Sequence, residues 1–239
     1  MIFLWWLSAF GDLESNSRIK AKDVTLLALL QTIAEFQDIV LVHEPNSQGI
    51  FFVNIKLLRL PSGPDSYSDL LSGRADYAWT SFILLSQQPT LLESMPPHLT
   101  SLLMQLCSLK DSSSPLPPSV TLSLSQPLQI TETVPFAGFI LEYPVAYVPT
   151  SADQTSFLAG VPLDVYECVL LDPDCTGEEE HTMLKFSCPC TVGAAQESLS
   201  PSRLPEILQS HFEPRLKYAG FLGSLVVRHH TETLARVAL

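Results

Sequence analysis

The sequence predicts an α/β fold, with α+β as the alternative: a single mixed sheet of about eight strands with about three helices packed on it. Three observations lead there. Apolar residues make up 46% of the 239 and charged residues 16%, enough to bury a substantial core and too little charge for a disordered chain. Short β-branched and aromatic runs recur, bounded by Pro, Gly, Asn and Ser turns. Helical periodicity is confined to a few segments, and strands alternate with helices only in the first half, which disfavours a doubly wound parallel sheet.

Taken in order, MIFLWWLSAF (1–10) reads as a buried first strand. No Lys or Arg precedes it, as a signal peptide requires, and it offers about half of the roughly 20 apolar residues of a membrane span. A helix is expected from 20 to 36, because Leu26, Leu29, Leu30, Ile33 and Phe36 form one apolar stripe. DIVLVHE (38–44) and IFFVNIKLL (50–58) flank the turn NSQG as a hairpin. YAWTSFILL (77–85) reads as a strand. Ser94, Pro96 and Pro97 then open a second helix with Leu99, Leu102, Leu103 and Leu106 on its apolar face.

Length leaves one or two cores open. KDSSSPLPPS (110–119) is the most linker-like segment, but no repeat relates the halves and neither holds a closed set of elements. Residues 1–239 therefore read as one domain with a Ser/Pro-rich loop at 110–119.

The second half is expected to be strand-rich: VTLSLSQ, FILEYPVAYV, VPLDVYECVLL, TMLKFSC and SLVVRHHTETLARVAL. Within GFILEYPVAYVP (138–149), period two places Leu141, Tyr143, Val145 and Tyr147 on one face. Pro144 cannot donate to a ladder, so this strand is predicted at an edge or bulged, with one hydrogen bond missing there. The acidic loop 172–180 reads as a hairpin tip. One helix interrupts these strands, capped by Ser202, with Leu204, Ile207, Leu208 and Phe212 inward and Pro214 ending or kinking it.

Thirteen Lys+Arg against 25 Asp+Glu give a net charge of -12, a field that repels a phosphate backbone. Five cysteines, odd in number, and no Asn-x-Ser/Thr sequon fit a reducing compartment. Cys168, Cys175, His181, Cys188 and Cys190 are soft ligands close in sequence. Their spacing, one C-x-C and then gaps of seven, is not that of a structural zinc site. Buried unreactive thiols are the favoured reading, a metal site at Cys175, His181, Cys188 and Cys190 the weaker one, and a redox pair Cys188/Cys190 a third. His229 and His230, adjacent on a strand, point to opposite faces, as do Asp164 and Glu167.

No G-x-S-x-G, P-loop, G-x-G-x-x-G or H-E-x-x-H motif is present. The expectation is an acidic, soluble, cytoplasmic or nuclear protein, non-catalytic and without cofactor, acting through a protein partner. Neither nucleic acid nor membrane is a partner on this reading, and the oligomeric state stays open. The alternative is an enzyme or small-ligand-binding protein with a pocket near Glu142, Tyr143, Tyr147 and the 161–171 strand, where Asp164 lies.

LEYPVAYV, FLAGVPLDVYECVL, LKFSCP and VRHHTETLARVAL stand in that order between about 136 and the last residue. In this the chain resembles an uncharacterised eukaryotic family, a domain of unknown function typified by the product of human chromosome 1 open reading frame 74. FGDLESNSR and IFFVNI extend the resemblance into the first half. It implies a whole-chain intracellular domain and transfers no catalytic residue. At Glu142 the chain departs from the family pattern, which implies glycine there.

Overall fold

Residues 21–33, 36–44, 49–56, 79–110, 117–122, 129–154, 157–171 and 180–235 are described in the computed structural model. The expected first strand and the acidic loop 172–179 lie outside them, as does the loop core 111–116. The chain divides into two compact bodies, one from 2–82 and 92–152 and the other from 83–91 and 153–239.

In the first body, α1 (Ala21–Leu30) is shorter than its stripe predicts. Leu27 is its buried residue, with Leu26, Leu30 and Phe36 packed around it against Ile39, Leu41 and Phe52. Leu29 and Ile33 are exposed, because the helix ends before Ile33 can extend the stripe. The hairpin forms as expected: β1 (Ile39–Glu44) and β2 (Gly49–Asn54) pair antiparallel from Ile39↔Asn54 to Glu44↔Gly49. β5 (Ser119–Thr121) adds in parallel to the other edge of β1. Central β1 is consequently apolar on both faces, with Val40, Leu41 and Val42 all buried. The second predicted helix is α2 (Pro97–Lys110), and its whole leucine stripe is fully buried.

The largest correction falls on GFILEYPVAYVP. Its first residues end a helix, α3 (Ile130–Ile140), and only β6 (Val145–Pro149) is strand. The period-two facing assigned to Leu141 and Tyr143 therefore does not apply. The helix prevails because its ends are chemically marked and its inner face is apolar. The Glu132 carboxylate accepts from the Gln129 N–H at 3.0 Å, closing the first turn. Phe136 and Ile140 are fully buried, and Phe136 meets Phe51 of β2 edge-on at 5.5 Å. Gly138 lets α3 lie on β6, since a Cβ there would stand 2.7 Å from the Ala146 Cβ. Pro144 lies outside the strand, so no ladder bond is lost to it, and its carbonyl accepts from the Ser81 N–H at 2.8 Å.

The described residues do not form one eight-stranded sheet. Among the described residues the strands fall into sheets of three, ordered β2-β1-β5 in the first body and β8 (His181–Pro189)-β7 (Pro162–Leu171)-β9 (Ser224–Thr233) in the second. β3 (Ser81–Leu85) and β4 (Thr90–Leu91) form a short antiparallel hairpin. Among the described residues six of the nine strands run six residues or fewer, too short to organise a wide ladder.

The long strands all belong to the second body. β7 (Pro162–Leu171) lies between β8 (His181–Pro189) and β9 (Ser224–Thr233), antiparallel to both. α4 (Cys190–Ala195), a single 3₁₀ turn at Glu197–Leu199 and α5 (Leu204–Tyr218) pack against it. Arg203, rather than Ser202, occupies the N-cap position of α5. Pro214 does not stop the helix, because the carbonyl it leaves unpaired belongs to exposed Ser210, which water can serve. The helix ends at Gly220 (φ 76°), with the Phe221 N–H donating to Leu216 O and the Gly220 N–H to Lys217 O. Gly223 then passes beside β7, where a Cβ would stand 2.0 Å from Leu171 O. Among the described residues no helix is long and apolar enough to cross a membrane.

Candidate functional site

Strand alternation divides the β8-β7-β9 sheet into two chemically different faces. Register puts Cys188 and Thr231 beside Asp164, and Phe186 and His229 beside Tyr166, all on the face that the helices cover. Asp164 is 5% exposed. The Thr231 hydroxyl donates to its Oδ1 at 2.9 Å, and the His229 Nε2 lies 2.9 Å from the same oxygen. The Cys190 thiol, at the start of α4, donates to this carboxylate as well. Tyr166 is fully buried, stacked on Phe186 at 5.2 Å and tilted against the His229 ring at 5.0 Å. Its hydroxyl donates to Leu199 O at 3.3 Å.

A buried carboxylate that fixes one nitrogen of a half-buried imidazole is the orienting half of a proton-transfer pair. The groups that would complete a nucleophilic site are held in their protonated forms. Burial, and then the Asp164 charge, push the Cys188 thiol up to about 12 and raise Cys190 as well. Burial alone takes Cys168 to about 12. Tyr166 is raised for the same reasons as Cys188. Thiols in this state are hydrogen-bond donors and packing groups, not nucleophiles at neutral pH. The cluster therefore fastens β9 and α4 to β7.

The opposite face carries charge. Lys185 pairs with Glu167 across β8 and β7, and Arg228 reaches over β7 to take Glu180 with both guanidinium nitrogens, one at 2.6 Å. His230 lies 3.8 Å from Glu232. All of these are near the surface. His229 and His230 do face opposite sides of the sheet, and so do Asp164 and Glu167.

The two edges of this sheet also differ. β8 has a register shift against β7 at Cys168/Val169 and ends in Pro189. β9 runs ten residues in unbroken register, with no Pro, Gly or Lys, and among the described residues nothing pairs with its outer edge. Just before it stand Tyr218 and Leu222, 93% and 85% exposed.

Of the residues that the sequence singles out, Asp164 is at the centre of the second body's cluster. Glu142, Tyr143 and Tyr147 belong to the first body. Glu142 is buried with φ 54°, the C′ residue of α3: its N–H donates to Phe139 O, and the Tyr143 N–H donates to Gly138 O. The Trp79 indole donates to the Glu142 carbonyl at 2.7 Å. Burial raises the Tyr143 phenol, and Tyr147 is half-buried in β6.

For the weaker metal reading, Cys175 lies outside the described residues. His181 and Cys188 stand at opposite ends of β8, about 23 Å apart at roughly 3.3 Å per residue. Among the described residues no three His, Cys, Asp or Glu side chains are grouped to hold a metal ion. Tyr166 and Thr231 are the site residues that sequence reasoning missed. The pairing register of β7 with β9 gathers them, and no local pattern announces it. Comparison with protein-family models, curated proteins and solved structures returns no match for this chain.

Proposed function

We propose that this chain is a soluble, non-catalytic protein-interaction module whose docking surface is the outer edge of β9, flanked by Tyr218 and Leu222. The observation that carries the reading is the edge itself: ten residues of regular strand with no register shift, proline or glycine. An extended segment of another polypeptide would add there by main-chain hydrogen bonds, with Tyr218 and Leu222 as apolar anchors at one end. The protonated thiols around Asp164 support a structural rather than a catalytic role for the buried cluster. The family that the sequence resembles belongs to the same proposal, since it transfers no catalytic residue.

The test compares proteins that copurify with the wild type and with the double variant Tyr218→Ser/Leu222→Ser. The variant should keep the wild-type melting temperature, since both side chains are solvent-exposed. Partners recovered with the wild type and lost with the variant support the reading. The same partners in both overturn it, as does the absence of any partner in either from a chain that is also monomeric.

A further inference from the structure

We infer that the partner taken up at β9 is a second copy of this chain, forming a two-fold dimer in which β9 pairs antiparallel with its own counterpart about His230. The inference rests on the β9 edge being the docking surface. It is carried by the self-complementarity of the strand.

Two symmetry-related strands that continue one sheet, with the two-fold axis perpendicular to it, pair residues of the same parity. Only a few centres bring the full strand together. Centred on Arg228, two guanidinium groups oppose each other. Centred on His229, Arg228 faces a histidine and Val226 faces Glu232. Centred on Thr231, Arg228 faces Leu234.

About His230, the two imidazoles oppose each other on the axis and the charged groups on either side meet opposite charges. Arg228 faces Glu232 of the second copy twice over, and Val226 faces Leu234 twice. On the other face the same register sets His229 opposite Thr231. These side chains lie near the surface, and Arg228 would share its guanidinium between Glu180 of its own chain and Glu232 of the second copy. Arg228, His230, Glu232 and Leu234 are between 37% and 50% exposed. Val226 is half-buried. Strand β9 keeps continuous register to β7 from Ser224 to Thr233. The product is a six-stranded sheet ordered β8-β7-β9-β9-β7-β8, in which the undefended edges are paired and the interrupted β8 edges face outward.

Each copy carries a net charge of -12, so the association is measured at about 0.15 M salt, where the Debye length is about 8 Å. Sedimentation velocity of the full chain at about 0.1 mM should show a dimer. Arg228→Glu and Glu232→Arg each place like charges opposite one another at two symmetry-related positions, and each should weaken the dimer by about tenfold. The combined variant Arg228→Glu/Glu232→Arg restores opposite charges and should return the dimer to wild-type strength.

A second measurement does not depend on charge. His230→Cys sets two thiols directly opposite, about 5 Å apart between Cβ atoms, and should yield a disulfide-linked dimer under mild oxidation. A monomer at all concentrations, a dimer indifferent to both single reversals, or failure of the combined variant to rescue would overturn the inference. A monomeric chain that still loses a partner through Tyr218→Ser/Leu222→Ser would overturn the self-pairing and leave the interaction-module reading standing.

Discussion

The two edges of the β8-β7-β9 sheet flank the same central strand and expose the same kind of backbone, yet they are built differently. β8 slips register at Cys168/Val169, carries Lys185 near its middle, and runs through Pro189 directly into α4. Each of these discourages another strand from adding. β9 has neither the slip nor the proline, and its central charge, Arg228, is drawn across β7 to Glu180. It is gripped on one face by the Asp164 cluster, through His229 and Thr231, and laced on the other by the Arg228–Glu180 pair. An edge that is held flat but not blunted is suited to pairing. The contrast shows that anchoring a strand and protecting it are separate tasks, done here by different residues.

The largest expected effect removes what both edges share. Tyr166 is fully buried at the centre of the covered face, between Phe186 of β8 and His229 of β9. Tyr166→Ala should cost about 4 kcal/mol, through lost transfer energy and the cavity left behind. Urea unfolding followed by circular dichroism measures it. Hydrogen exchange should then quicken on β8 and β9 together. Faster exchange on one edge alone would show that the two are not anchored by a common core.

How much of this contrast is legible in the sequence follows from which interactions are local. Period two separates Asp164 from Glu167 and His229 from His230, and that separation is what the sheet shows. The leucine stripe of α2 and the β1–β2 hairpin are equally local. The stretch 130–140 is not: ITETVPFAGFI holds β-branched residues, Pro135 and Gly138, all of which point away from a helix. It folds as one because of its closed ends and the burial of Phe136 and Ile140, and the second of these is a tertiary fact. Glu142 is the instructive residue within GFILEYPVAYVP. The backbone there is left-handed at φ 54°, where glycine costs nothing and another residue costs roughly 1–2 kcal/mol. Sheet number was illegible for a similar reason, since strand spacing does not say which strands become neighbours.

The next expected effect separates the edges chemically. To the polar groups around Asp164, β8 contributes a buried thiol, whereas β9 contributes a more exposed imidazole and hydroxyl. The Cys168 and Cys188 thiols are both pushed up to about 12 in the fold, against an ordinary value near 8.5 in the unfolded chain. The native state therefore keeps protons that the unfolded state releases. Their contribution to stability is intact below about pH 8.5 and is lost as pH rises toward about 12, by about 1.4 kcal/mol per pH unit for each thiol. Denaturant unfolding between about pH 8 and pH 10 should show that decline. Cys188→Ala should halve the slope, and Thr231→Val should leave it unchanged. An equal response to both substitutions would mean that the alkaline sensitivity does not belong to the β8 side.

The smallest effect on stability is the sharpest test of the edge comparison. Lys185 lies in β8, exposed and paired with Glu167, and an exposed pair of this kind adds little to folding. Lys185→Val should leave the unfolding midpoint where it is. It replaces a gatekeeping charge with a β-branched residue on an edge strand, and so it should let β8 pair with other chains. On the proposed self-pairing of β9, light scattering at rising concentration should then report open-ended assembly for Lys185→Val and a closed species for the wild type. Scattering that does not grow with concentration would mean that the register shift and Pro189 protect β8 without help from Lys185.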